Sequence, residues 1–312
     1  MKSGLVRRIF LPSVVLAVAA ASSAIAQDLR ELQKQFKEAL DSKNYMTLAA
    51  LADQIAGIND KKAVDVLVGG YEAFAKTLEK LWSERQALQL KQENFGDIHQ
   101  EAKQLQEEIN KNGGRMIIGS DLHKRYLEHQ KKNTDYYSLK EQNSAKEREI
   151  IEVNRAKDSI VNAFAKVTSD EAIKEMINDL GKSGSWTARA ALAEALGRID
   201  HAQALSALMD RLSGGEREAG IQVALLDALA NKKPWTAPMV AAVAPHLKSG
   251  FWQVAYAAAT ALKASGLPEA IEPLIDAIGR TDGRLQSDIH DALVALTGVD
   301  KGFTAESWRG WF

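Results

Sequence analysis

Cysteine is absent from all 312 residues, so the chain has no disulfide, thiolate nucleophile or cysteine-bound metal. Proline is almost as scarce: none occurs between Pro12 and Pro234, and the later ones crowd into 234–273. An interior proline costs a helix about 3 kcal/mol, so a proline-free stretch this long suits long helices. Aromatics make up 6% of the chain, too few for a sheet-rich core. Neither sign of charge dominates. The formal net charge is −1, and it becomes −4 without the cations Lys2, Arg7 and Arg8, which provides no basic field for nucleic acid.

No apolar run reaches the roughly 20 residues of a membrane span. The nearest, Ile9 to Ala21, follows Lys2, Arg7 and Arg8 and precedes Ala24-Ile25-Ala26. A positive start, a short apolar middle and a small-x-small end predict a signal peptide over 1–26, cleaved before Gln27. The alternative is an uncleaved anchor. Export to the periplasm or the exterior is therefore the expectation.

What the chain has in quantity is a repeat. "RAALAEALGRIDHAQALSALMDRL" (189–212) matches "AYAAATALKASGLPEAIEPLIDAI" (255–278) when Leu196 is set on Leu262. The Ala-Leu pairs 195–196, 228–229, 261–262 and 295–296 recur at steps of 33, 33 and 34 residues, the range of stacked helix pairs. Val240, Val243 and Leu247 take the second-helix positions of the 229 repeat after two extra loop residues. An earlier copy begins at Ala163-Phe164 and continues with Ile173, Met176 and Leu180. A fainter one uses Leu51, Ile55, Val64, Leu67 and Tyr71. A small Ala lets two helices approach, and the stripe on the second helix must be covered by a neighbour.

This pattern resembles HEAT repeats, closest to the short bacterial "R-x-A-A-x-A-L-G" type at Arg189 to Gly197. The resemblance covers 156–312 well and 44–75 weakly. It implies an all-α solenoid and says little of function. Some relatives of the short type are pigment lyases, but no matching pocket signature carries that activity here. The ending, Leu296-Thr297-Gly298 followed by Trp308-x-x-Trp311, resembles the finish of many secreted bacterial HEAT-repeat proteins. Trp308, Trp311 and Phe312 are accordingly expected to cap the last repeat, with Thr304 capping its second helix. Trp186 and Trp252 share one register, which predicts packing between repeats rather than ligand contact.

Between the fainter repeat and the Phe164 repeat the character changes. Phe74, Leu81, Leu88, Phe95, Ala102 and Ile109 fall seven apart, predicting one continuous helix with a coiled-coil seam. Asn112-Gly113-Gly114 should end it, and a helix starting at Ser120-Asp121 should return through Tyr136 and Ile150 to Ile160. The predicted organisation is a signal peptide at 1–26, an N-terminal repeat at 27–75, an antiparallel coiled-coil hairpin at 76–155 and C-terminal repeats at 156–312. At the hairpin tip, Met116, Ile117 and Ile118 either fold back as a plug or present an apolar contact to a membrane or a partner.

Reaction chemistry is not legible. His99, His123 and His129 lack the i, i+4 spacing of a helical metal site. "GKSGSW" at 181–186 lacks the rest of a phosphate loop and reads as a turn between repeats. The function expected is a non-enzymatic scaffold of the bacterial cell envelope, without a cofactor, holding a protein partner on the solenoid's inner face. Asn178, Asp210 and Asp276 share one second-helix register, and Arg211 and His246 the next; these five are the candidate contacts. Two rivals remain, an envelope adaptor binding through the hairpin tip and a lyase or hydrolase with a pocket on the inner face.

Overall fold

The computed structural model describes residues 28–182 and 184–312; the predicted signal peptide lies outside them. Every regular element among the described residues is helical. The chain divides into one unit formed by the segments up to Glu72 and from Asp158 onward, and a second formed by Ala73–Lys157.

The first unit opens with α1 (28–41) and α2 (Tyr45–Gly57). Asn44 caps α2 by accepting a hydrogen bond from Thr47 N at 3.2 Å. The third helix, α3 (Lys61–Glu93), follows, and its residues up to Glu72 belong to this unit. Leu51, Ile55, Val64, Leu67 and Tyr71, the five residues of the fainter repeat, are all buried. The chain returns to this unit at the end of α5 (Asp121–Phe164), where Ala163 and Phe164 are buried, and α6 (Asp170–Lys182) follows.

Four further pairs complete the unit. They are α7 (Trp186–Arg198) with α8 (Ala202–Ser213), α9 (Ala219–Ala230) with α10 (Ala237–Val243), α11 (Trp252–Ser265) with α12 (Ile271–Ile278), and α13 (Gly283–Thr297) with α14 (Ala305–Trp311). The first helices pack in succession, α7 on α9, α9 on α11 and α11 on α13, while α6 packs on α8, α8 on α10 and α12 on α14.

Small residues set the spacing of that packing. A Cβ on Gly197 would lie 2.7 Å from the Ala228 Cβ, so α7 and α9 meet nearly backbone to backbone. In α11, Ala255, Ala257, Ala258, Ala259 and Ala261 are all buried, and alanine costs no side-chain entropy there. The turns within successive pairs are laced together as well. Asn59 Oδ1 accepts from Thr168 N at 2.7 Å, and Ser169 Oγ donates to Asn59 O at 2.6 Å. Farther along, Lys232 Nζ donates to Ile199 O, and Lys233 Nζ to Ala264 O at 2.5 Å.

Two expectations of register need correction. The last first helix buries Ala292 and Leu293, not the later Ala-Leu pair; Ala295 is exposed and Leu296 half-buried. The stretch Ala292-Leu293-Val294-Ala295-Leu296 offers both pairs one turn apart, and packing of α13 on α11 and α12 selects the earlier one. At the end of the chain, Trp308 is fully buried and donates from Nε1 to Gly302 O at 2.7 Å. Trp311 and Phe312 are 41% and 63% exposed, so of the three rings expected to be covered only Trp308 is buried. Thr304 caps α14, accepting from Ser307 N at 3.3 Å.

In the second unit, the expected continuous helix is broken. The third helix stops at Glu93, Gly96 takes φ +66°, and Asp97 caps α4 (Ile98–Lys111) through Gln100 N at 2.9 Å. The heptad series crosses this break, so Phe95 and Ala102 are only half-buried. Burial passes instead to Ile98 and Leu105, which are 3% and 6% exposed. The partners of α5 run antiparallel to these helices. Arg125 pairs with Glu108 at 2.9 Å, Lys132 with Glu101 at 3.3 Å, and Lys146 with Glu84 at 2.7 Å. Phe74, Leu78 and Leu81 are buried in this unit, as are Ile150, Val153 and Ala156. From Gln106 to Glu149 no described residue is buried, so polar pairs replace a core there.

Candidate partner-binding cleft

The clearest concavity among the described residues lies between the second helices of two successive pairs. Thr236 precedes α10, Pro238 sits in its first turn, and Pro245 turns the rest of the segment into a 3-10 stretch, Ala244–Lys248. A proline nitrogen cannot donate the next helical hydrogen bond, which accounts for the change. Against this stretch packs α12, with Pro273 in its first turn.

The two enclose an open cleft of about 350 Å³. Ala241, Ala244, Pro245, Leu247 and Pro273 make its apolar floor, and Lys248, Glu272, Asp276 and Arg280 supply its charge. A second cleft, of about 330 Å³, adjoins it and shares Leu247, Lys248 and Arg280, with Ser249, Thr281 and Leu285 beyond. Lys248 and Arg280 make no ion pair among the described residues, whereas Asp276 is engaged by Arg309 at 2.6 Å. The groove thus offers an apolar floor with two free cations where its halves join. Glu272, also without an ion pair among the described residues, lies on the first cleft's rim.

Of the five candidate contacts, Asp276 lines this groove. The others are placed differently. His246 sits on the 3-10 turn rather than on a regular second helix; it is half-buried beside the Leu212 backbone, and burial pushes its pKa down. Arg211 is turned inward, donating from Nε to Glu216 at 2.9 Å. Asp210 is exposed and accepts from Ser206 Oγ at 3.3 Å, and Asn178 donates to Glu175 at 3.3 Å. Lys248 and Arg280 escaped sequence reading because each lies past the end of a second helix, outside the repeated register.

Two further constellations are structural or electrostatic. Arg189, the arginine of the repeat motif, donates to Leu180 O at 3.0 Å and pairs with Glu216, whose side chain is 5% exposed. Burial alone would push the Glu216 carboxyl up. The Glu218 N–H together with Arg189 and Arg211 outweighs that and holds its pKa below the ordinary value. This triad ties the end of α6 to α7 and to the loop before α9.

The other is acidic: Asp65 on α3 and Glu175 and Asp179 on α6 bring carboxylates within 4.8 Å of one another. Lys61 neutralises part of it, pairing with Glu175 at 2.9 Å. Desolvation first, and then the charge of Glu175, raise the pKa of both Asp65 and Asp179. No local sequence signal joins helices so far apart in the chain. The histidines considered as ligands do not assemble: His99 is exposed, and His129 instead approaches Ile98 O at 3.0 Å.

Trp186 and Trp252 also separate. A Cβ on Gly220 would lie 2.5 Å from the Trp186 ring, so Trp186 packs on the next first helix while staying half exposed. Trp252 is 63% exposed beside Phe251 at 55%, contrary to the expected packing role.

A family model described as the PBS lyase HEAT-like repeat matches residues 254–279. Those residues form a HEAT-like repeat. They run from α11 into α12, so this repeat forms one wall of the cleft. No curated protein and no solved structure matches the chain. The HEAT-like repeat, with every described element helical, fits a helical repeat protein, a class often used for protein interaction.

Proposed function

We propose that the protein is a non-enzymatic scaffold of the bacterial cell envelope that holds a protein partner along the second helices of its HEAT-like repeats. The observation that carries this reading is the groove shared by the two clefts, with Lys248 and Arg280 unpaired above an apolar floor. A stack of rigid helix pairs holds such a groove in shape, and binding then costs little ordering of the scaffold. The signal-like segment at 1–26 supports the envelope as the compartment. The partner segment expected is extended, acidic and rich in small apolar side chains.

The test is capture from envelope extracts with the protein and with Lys248→Glu/Arg280→Glu. The same partner should be recovered by the protein, released by raised salt and missed by the doubly reversed variant. Equal recovery by both, with circular dichroism unchanged, would remove the groove from the account.

A further inference from the structure

The loop between α4 and α5 turns outward the most exposed isoleucines of the described chain. Ile117 and Ile118 are 76% and 86% exposed, while Met116 beside them is half-buried. The backbone that carries them is fixed. Gly113 and Gly114, at φ +68° and +75°, close α4 through Gly114 N to Ile109 O at 3.0 Å. On the far side, Ser120 N donates to Ile117 O at 3.0 Å, and Gly119 N to His123 Nδ1 at 3.1 Å.

The charge around the pair is one-sided. Lys111, Arg115, Asp121 and Lys124 are the charged residues of 111–124, three cations to one carboxylate, and all four are exposed. Arg115 and Lys124 make no ion pair among the described residues, whereas Arg125, one position on, is held by Glu108. Two β-branched apolar side chains on a pinned turn, ringed by free cations, match a flat surface with an apolar interior and anionic headgroups. Apolar groups enter the acyl boundary while lysine and arginine stay at the headgroups. No described helix is long and apolar enough to cross a membrane, so the contact would be peripheral.

The geometry points to a second interaction surface: the Ile117-Ile118 turn docks on an anionic lipid surface by shallow insertion, with Lys111, Arg115 and Lys124 against the headgroups. A protein partner would need directional polar groups to fix its orientation, and around the two isoleucines the cations outnumber the one carboxylate, Asp121, three to one. Two such side chains support weak, reversible attachment.

The test is co-sedimentation of the full chain with vesicles of phosphatidylglycerol in phosphatidylethanolamine, against vesicles of phosphatidylcholine alone. Residues 1–26 are common to every variant, so comparison isolates the turn. Binding to the anionic vesicles should fall at least tenfold in Ile117→Ser/Ile118→Ser. In Lys111→Glu/Arg115→Glu/Lys124→Glu it should fall as far and lose its salt dependence. Melting should be unchanged in both, and Lys248→Glu/Arg280→Glu should bind vesicles as the parent does. Absence of binding to anionic vesicles overturns the inference, as does equal binding by parent and tip variants, or equal binding to neutral vesicles.

Discussion

Replacing Trp308 by Ala removes the largest fully buried side chain of the described residues. A buried tryptophan covers about 200 Å², and at about 25 cal/mol per Å² its burial contributes about 5 kcal/mol at most. The ring also donates to Gly302 O at 2.7 Å, a hydrogen bond contributing about 1 kcal/mol. Its edge contacts with Trp311 and His290 lie at centroid distances of 6.1 and 6.3 Å. Partial collapse recovers some of this, and Trp→Ala in a core costs about 3–5 kcal/mol. The loss should be local. The last helix, α14, has seven residues, too few to persist without packing, and it packs on α12. Hydrogen exchange on Trp308→Ala should therefore show lost protection over 299–312, weakened protection in α12, and α7 to α9 as before. Trp308→Phe, which keeps most of the ring, should recover more than half of the stability. Unchanged protection across 283–312 in the Ala variant would refute the reasoning and leave the terminal aromatics as a surface feature.

Other perturbations probe the array and its electrostatics. Gly197→Ala drives a Cβ to 2.7 Å from the Ala228 Cβ, and it should cost about 1–3 kcal/mol by parting α7 from α9, read as a lower midpoint in urea. Glu216→Gln leaves Arg189 and Arg211 facing a neutral group and should cost about 3 kcal/mol. Because the folded pKa of Glu216 lies below its unfolded value, its charge contributes stability above about pH 4.3, lost as pH falls through the folded value. The difference between parent and Glu216→Gln should therefore narrow in acid. Asp179→Asn has the opposite sign: its raised pKa penalises the ionised form at neutral pH, and Glu175 lies one turn away. That variant should gain about 0.5 kcal/mol at pH 7, a gain that vanishes below the unfolded Asp value of about 3.9.

The helix pairs were legible because their cause is local and repeated. Ala195-Leu196, Ala228-Leu229 and Ala261-Leu262 recur at nearly one spacing, and all six residues are buried. Where two readings competed, spacing alone chose wrongly. Asn94-Phe95-Gly96-Asp97 carries a left-handed glycine and a helix-capping aspartate, the same chemistry that ends α4, yet the unbroken count of sevens concealed it. At the last pair, two Ala-Leu steps one turn apart left the register to tertiary cover. Phe312 shares an offset with Leu212 and Ile278, yet they are buried and it is exposed. The groove was the least legible feature. Its free cations, Lys248 and Arg280, lie on the segments that leave the second helices, where the repeat pattern lapses. The proline that creates the 3-10 turn also brings Leu247 and Lys248 to the groove.

The central claim is that a protein partner lies in that groove. A photoreactive amino acid placed at Ser249, which lines the adjoining cleft and leaves both cations in place, tests it in intact cells, with matching positions at Glu31 on α1 and Ile117 on the α4–α5 turn. A discrete protein adduct is expected from position 249, absent from 31 and lost when Arg280 is changed to Glu. No adduct from 249, or the same adduct from 31 or 117, would contradict it.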